Sequence, residues 1–222
     1  MTHPPYLRIL PVSLVVITLG WAFFEFMNSR AGTDVLDLDH RIVQLMRQPE
    51  DPMRIIGPRA MEEAIRDFTG LGGYAVLITA TVGFAVFALA ELPRSTFYFF
   101  WLTVVGGFST SILMKLLVRR DRPSIVPHLS HVTGSTSFPS AHAMMAVIVY
   151  VTIGLILSEL TTNRHLQRLL IGLPLLIAII VGMSRICMGV HFPSDVLGGW
   201  TGGLLWTWTA FLVRGRLRKF VS

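Results

Sequence analysis

Six apolar segments of about 20 residues each constrain the fold of this chain more than any other feature of its sequence. An α-helix needs about 20 apolar residues to cross roughly 30 Å of hydrocarbon, where backbone groups find no water to bind. We therefore predict six transmembrane helices. They are expected at about residues 7–27, 72–91, 95–114, 139–160, 168–188 and 193–213.

The composition supports this prediction. Of the 222 residues, 52% are hydrophobic and only 14% are charged, whereas a soluble domain carries about 25% charged residues. The first apolar segment lacks a clear small-residue cleavage site, so we interpret it as a retained span rather than a signal peptide. We expect an all-α, multi-pass integral membrane protein that forms a single domain over residues 1–222.

The positive charge of the chain is distributed as in a membrane protein. Most of the net charge of +6 lies near the ends of the apolar segments, where lysine and arginine contact anionic lipid headgroups. No surface combining basic and aromatic residues is evident, so we expect membrane lipids as partners and no nucleic acid.

Six spans place both termini on the same side of the membrane. The long connection at 28–71 carries several arginines that oppose a simple count of charges, but the basic C-terminal tail favours cytoplasmic termini. We therefore expect the protein in the inner (cell) membrane, with the connection at 28–71 on the periplasmic or extracellular side.

The connection at 28–71 shows two short helical patterns separated by prolines. The first has apolar residues at Val35, Leu38, Ile42 and Leu45, and the second covers about Ala60 to Phe68. The simpler interpretation is a pair of interfacial helices lying on the bilayer. The alternative is a lid or lip over a functional site.

Three short motifs occur in order at the ends of the predicted spans. They are Lys115-x6-Arg122-Pro123, Pro139-Ser140-Ala141-His142 and Ser184-Arg185-x5-His191-x3-Asp195. The six-span topology brings all three to one face of the membrane. Together they supply cations, a helix start and an imidazole next to a carboxylate, which suit metal-free transfer of a phosphoryl group.

The histidines and the aspartate of these motifs suit nucleophilic and acid–base catalysis. His191 and Asp195 are four residues apart at a helix start, and a carboxylate on one imidazole nitrogen makes the other a better nucleophile. His142, in the first turn of span four, suits proton transfer to and from the departing and attacking oxygens. Taken singly, each histidine could equally be an ordinary interfacial residue.

Cations and a helix start complete the candidate site. Lys115, Arg122 and Arg185 could bind phosphate oxygens, although such residues also extend from span ends to lipid headgroups. Ser140 and the backbone N–H groups around Ala141 lie at a helix N-terminus, which binds anions. The alternative role of this serine is a simple helix cap.

The three motifs resemble those of the type 2 phosphatidic acid phosphatase (PAP2) superfamily of membrane lipid phosphatases, which also includes vanadium-dependent haloperoxidases. The resemblance implies a phosphohistidine mechanism in which His191 is the nucleophile, Asp195 orients it and His142 is the acid–base residue. It also implies a phosphate-binding set without metal or cofactor, consisting of Lys115, Arg122, Ser140, the Ala141 N–H and Arg185. The second motif often has glycine where this chain has Ala141, and alanine still donates its backbone N–H.

The expected reaction is hydrolysis of a lipid phosphate or diphosphate at the outer face of the membrane. Phosphatidic acid, phosphatidylglycerophosphate and undecaprenyl diphosphate are the candidate substrates, and the compact size slightly favours a polyprenyl diphosphate. A phosphotransferase with the same intermediate is the nearest alternative. A haloperoxidase, a transporter or a non-catalytic lipid-binding protein fits the motifs less well.

Other polar residues near the motifs have simpler interpretations. His128 and His131 lack a carboxylate or thiolate neighbour, so they make a weak metal site. Arg119 and Arg120 either add positive field for an anionic substrate or anchor the span. Arg66 and Asp67 could reach the site or could equally form an exposed ion pair.

Overall fold

The structure is a computed structural model that describes residues 30–132 and 134–221, with side chains described from 35 to 217 except at 133. Every extended regular element in these ranges is a helix, which confirms the all-α prediction. The helices are α1 (Arg30–Leu45), α2 (Arg59–Leu71), α3 (Tyr74–Glu91), α4 (Arg94–Val118), α5 (Ala141–Ser158), α6 (Arg164–Cys187) and α7 (Pro193–Val221).

Five of the described helices, α3 to α7, are long and apolar enough to cross a membrane. They correspond to the predicted second to sixth spans and begin within a few residues of the predicted positions, although α4 and α7 extend further. The predicted first span at 7–27 lies outside the described residues.

The end of α4 is set by a residue in the left-handed backbone region. Arg119 has φ 48°, a conformation that few residues other than glycine adopt, and the chain turns back over the bundle after it. Ser137 holds this turn, because its backbone N–H donates to the Arg120 carbonyl at 2.7 Å. The residues that follow α4 therefore lie over the helix ends rather than extending away from them.

Helix α5 is the central helix of the bundle and packs against α6 and α7. On α7, Gly199 and Gly203 face the first turns of α5, and a Cβ at Gly203 would lie 2.8 Å from the Met144 carbonyl oxygen. The absence of side chains at these glycines lets the two backbones approach closely. The start of α5 and the start of α7 are thereby held side by side.

The described part of the segment 28–71, residues 30–71, packs onto the end of the bundle where the motifs lie. It forms two helices, as predicted, with α1 contacting α7 and α2 contacting α6. Buried Val43 packs with Ile186 and Phe192, and the buried Arg47 guanidinium donates to the Cys187 and Pro127 carbonyls. An interfacial location of these helices stays a prediction, but their inner faces are part of the protein core.

The contact between α5 and α7 predicts the effect of adding one methyl group. Replacement of Gly199 by alanine would place a Cβ 2.7 Å from the Ser140 carbonyl oxygen and 3.1 Å from the Ala143 Cβ. We expect overpacking to lower stability by about 1–3 kcal/mol. The melting temperature in detergent checks this prediction. Gly83→Ala is the control, because no atom lies within 4 Å of the added Cβ there. Equal melting temperatures for the two variants would contradict the prediction.

Candidate active site

His191 is a buried imidazole placed between a guanidinium and a carboxylate. It lies in the loop between α6 and α7 and is 2% exposed. Its Nε2 is 3.3 Å from an Arg122 guanidinium nitrogen, and its Nδ1 is 3.5 Å from Asp195 Oδ2. Because a guanidinium can only donate, Nε2 accepts and the proton of the neutral ring resides on Nδ1, facing the carboxylate. The lone pair of Nε2 therefore points to the cationic side of the site.

Asp195 is fully buried in the first turn of α7. Its Oδ2 accepts the Phe192 N–H at 2.8 Å, and its Oδ1 accepts an Arg120 N–H at 2.7 Å. The 3.5 Å to His191 is longer than a hydrogen bond, so the carboxylate acts on the ring through charge. A shift of a few tenths of an ångström would form the bond.

Burial controls the charge of His191. Loss of water lowers the pKa of the imidazole to about 4, an effect that the nearby Asp195 carboxylate opposes and that Arg122 and Arg185 reinforce. At neutral pH the ring is therefore uncharged. A neutral imidazole with a free lone pair is the form that can attack an electrophile.

Arg122 lies beside this lone pair, and the Lys115 ammonium group interacts with both Arg122 and Asp195. Arg122 donates to the Val190 carbonyl at 2.8 Å and to the Gly134 carbonyl at 3.2 Å, while its charge faces His191. Burial lowers the pKa of this guanidinium below its ordinary value, yet a guanidinium stays protonated in proteins. The Lys115 ammonium group forms long hydrogen bonds, 3.3 and 3.4 Å, to two carbonyl oxygens of the loop before α5.

The start of α5 offers polar groups to the same space. Ser140 is fully buried at the N-cap position, but its hydroxyl makes no capping bond and no other hydrogen bond within the described residues. Its backbone N–H donates to the Asp195 carbonyl at 3.0 Å. The N–H groups of the first turn, from Ala141 onward, have no acceptor inside the helix. A buried hydroxyl and free N–H groups at a helix start are groups that can bind an anion.

Arg185 and His142 form the opposite side of the site. Arg185 is 3% exposed and donates to Thr69 Oγ1 at 2.9 Å and to Ser130 Oγ at 3.3 Å. Electrostatic interactions couple His142 to Arg185, His191, Arg122 and Lys115. The Tyr74 ring lies 6.3 Å from the His142 ring. The predicted site residues from all three motifs thus meet at one end of the bundle.

Two charged residues at this site were not predicted. Arg120, interpreted from the sequence only as a general positive charge, binds Asp195 and also Asp39 of α1, at 2.7 Å in each case. Asp39 is buried four residues before Val43 on the inner face of α1. A carboxylate on an otherwise apolar helix face was the sequence signal for its role.

Other neighbours of the motifs have local roles. Arg66 forms an ion pair with Glu62 at 3.0 Å and donates to the Leu129 carbonyl. His128 Nε2 lies 2.7 Å from the Pro123 carbonyl oxygen. Within the described ranges, no group of three or more histidine, cysteine, aspartate or glutamate residues could hold a metal ion.

Comparisons with known proteins all identify the same family. The sequence profile of the PAP2 superfamily matches residues 95–219. Phosphatidylglycerophosphatase B of Bacillus subtilis (strain 168) is 35% identical over 220 residues, which cover 95% of this chain and 97% of that protein. The undecaprenyl-diphosphatase BcrC of the same strain is 29% identical over 158 residues, 67% of this chain and 74% of its own length.

A solved structure extends the likeness to the fold. The crystal structure of the first transmembrane PAP2 type phosphatidylglycerolphosphate phosphatase from Bacillus subtilis aligns with a TM-score of 0.71 and 27% identity. The alignment covers 95% of this chain and 96% of that one. The likeness therefore includes α1 and α2 as well as the helices that carry the motifs.

The environment of His191 predicts how stability depends on pH. Its folded pKa of about 4 lies below the unfolded value of about 6.5, so the unfolded chain binds more protons between these values. Stability should therefore fall as pH drops from 6.5 to 4, by about 3 kcal/mol from this residue. Melting temperatures of His191→Gln should fall less over this range. The exposed His165, replaced by Gln, serves as control; equal slopes in all three proteins would contradict the prediction.

Proposed function

This chain belongs to the PAP2 superfamily, and we propose that it hydrolyses a phosphate or diphosphate of a membrane lipid through a phosphohistidine at His191. It is an integral membrane phosphatase of this family, since its full-length relative is a phosphatase and its spans are those of a PAP2 fold. The observation that supports the mechanism is the neutral imidazole of His191, whose Nε2 lone pair faces the cations of the site.

In the first step, the substrate phosphate replaces Nε2 as the partner of Arg122 and also contacts Lys115 and Arg185. The Nε2 lone pair attacks phosphorus, so that an N–P bond forms as the bond from phosphorus to the leaving oxygen breaks. The anionic phosphate bound beside His142 favours the protonated form of its ring, which gives its proton to that oxygen. Asp195 stabilises the positive charge that the His191 ring gains.

In the second step, water attacks the phosphorus of the phosphohistidine. His142 takes a proton from this water, the N–P bond breaks and its electron pair returns to Nε2. Inorganic phosphate leaves, and the neutral ring of His191 is restored. Throughout both steps, the guanidinium and ammonium groups and the α5 N–H groups neutralise charge on the phosphate oxygens.

For the substrate, we favour the phosphomonoester of phosphatidylglycerophosphate. The relative that matches this chain over nearly the full length of both is named for this reaction, whereas the undecaprenyl diphosphatase matches two thirds of the chain. We give this full-length match more weight than the compact size of the chain, which favoured a polyprenyl diphosphate. Both substrates keep an apolar tail in the bilayer and present a terminal phosphate to the site.

We place the site on the outer face of the inner (cell) membrane, with cytoplasmic termini. The support is the charge of the opposite end of the bundle, where α7 ends with four basic residues, Arg214, Arg216, Arg218 and Lys219. At the site end, we assign Lys115, Arg122 and Arg185 to the phosphate site, so these three cations are left out of the comparison of charges.

Phosphate release by the detergent-purified protein tests the proposed reaction. Wild type should release phosphate from phosphatidylglycerophosphate in the presence of EDTA, and His191→Ala should lose about 10³-fold or more in kcat. Undecaprenyl diphosphate and phosphatidic acid are assayed in parallel. Wild-type activity in His191→Ala would contradict the covalent mechanism. Phosphate release from phosphatidic acid or undecaprenyl diphosphate, with none from phosphatidylglycerophosphate, would contradict the proposed substrate.

The covalent intermediate has its own test. After rapid denaturation with base, substrate carrying radiolabelled phosphate should leave label on wild-type protein and none on His191→Ala, because a phosphohistidine is stable to base and labile to acid. Product analysis in the same experiment separates hydrolysis, which yields free phosphate, from transfer to a lipid or sugar hydroxyl. Label that survives acid but not base would contradict a phosphohistidine.

A further inference from the structure

Arg120 joins two buried carboxylates that come from distant parts of the chain. One terminal nitrogen of its guanidinium donates to Asp195 Oδ1 at 2.7 Å, and the other donates to Asp39 Oδ2 at 2.7 Å. Its side chain is 11% exposed, that of Asp39 3% and that of Asp195 0%. We call this set of three residues the Asp39–Arg120–Asp195 bridge.

The bridge also holds the first turn of α7 in place. Asp39 Oδ1 accepts the Ser194 N–H at 3.0 Å, and the Ser194 hydroxyl donates to Asp39 Oδ2. Asp39 therefore caps α7 from another helix, where an anion also interacts favourably with the helix dipole. The Arg120 guanidinium stacks on the Phe192 ring at 4.3 Å. These contacts fix the backbone on both sides of the His191–Asp195 pair.

The charges of the bridge matter as much as its geometry. A guanidinium bound to Asp195 alone would neutralise the carboxylate that faces His191. Because Asp39 binds the other side of the same guanidinium, the bridge keeps a net charge of one negative next to the imidazole. At short range in a buried site such a charge is weakly screened.

We propose that Asp39 and Arg120 are positioning residues for His191, which set both the orientation and the effective charge of Asp195. This inference rests on the proposed function, in which His191 is the nucleophile. It assigns a role to α1, because the segment 28–71 then contributes a residue to the catalytic machinery rather than only covering it. Neither residue belongs to the proposed phosphate-binding set.

Other charged groups face the same imidazole and must be held constant in a test. Arg122, from the turn after α4, Arg185, from α6, and His142, from α5, interact with this imidazole, and Lys115 of α4 interacts with His142 and Arg122. On α1, the ring of His40 packs edge-on against Phe192 at 5.2 Å. Substitutions confined to Asp39 and Arg120 leave all of these groups unchanged.

The two substitutions should shift the pH profile of kcat in opposite directions. Asp39→Asn keeps the shape of the side chain but removes a negative charge, so protonation of His191 becomes harder and the acidic limb moves to lower pH. Arg120→Gln removes a positive charge, so protonation becomes easier and the acidic limb moves to higher pH. We expect kcat to fall by about 10–100-fold in each variant with little change in KM, as for other residues that orient a reacting group.

Matched controls come from the neighbouring positions. Asp37 lies exposed on the same helix as Asp39, and Arg119 lies exposed next to Arg120. Asp37→Asn and Arg119→Gln should keep the wild-type rate and pH profile. If a neutral variant fails to fold in detergent, Asp39→Glu and Arg120→Lys preserve the charges and should keep the wild-type pH limb while lowering kcat.

The outcomes separate this inference from the proposed function. Rates within about 3-fold of wild type in both Asp39→Asn and Arg120→Gln would overturn the positioning role. Lower rates without opposite shifts of the acidic limb would also overturn it, because a purely structural role lowers activity without moving the profile. Either result combined with an inactive His191→Ala leaves the phosphohistidine mechanism intact, whereas an active His191→Ala overturns both.

Discussion

The buried carboxylate of Asp195 is the interaction on which the rest of this site depends. Its oxygens face His191 and bind Arg120 and the Phe192 N–H, while its backbone carbonyl accepts the Ser140 N–H from the start of α5. One residue thus connects α7, α5 and the turn after α4. The three sequence motifs contribute to a single site because each of them contacts this residue or its immediate partners.

Burial is what gives the site its chemical character. An isolated charge inside a protein costs several kcal/mol, so each carboxylate here is held by hydrogen bonds and a guanidinium. The imidazole of His191 responds differently, since it can lose its charge, and its low pKa leaves it neutral. The cations that remain beside Nε2 favour an anionic ligand. A buried site with several cations and a neutral nucleophile is suited to attack on a phosphate.

Much of this arrangement could be predicted from the sequence, and the reasons are local. Apolar segments of span length determine helices irrespective of their neighbours, and the second to sixth predicted spans correspond to α3 to α7. The family was also predicted correctly, because the three motifs are contiguous runs with set spacing. Arg120 was underestimated, since a cation at a span end has many possible partners. Asp39 was missed because its partners Arg120 and Ser194 are 81 and 155 residues away in sequence.

The sequence by itself determined the second to sixth predicted spans, the family and the residue types that meet at the site. These follow from hydrophobicity and spacing, which are properties of short stretches of chain. Only the tertiary structure decided which charges pair and which stay free. Arg120 lies between two carboxylates, whereas Arg122, two residues later, turns toward His191. The left-handed turn at Arg119 and the packing of α1 on α7 determine which partner each arginine meets. Pairing depends on distances in space, and spacing along the chain does not encode these distances.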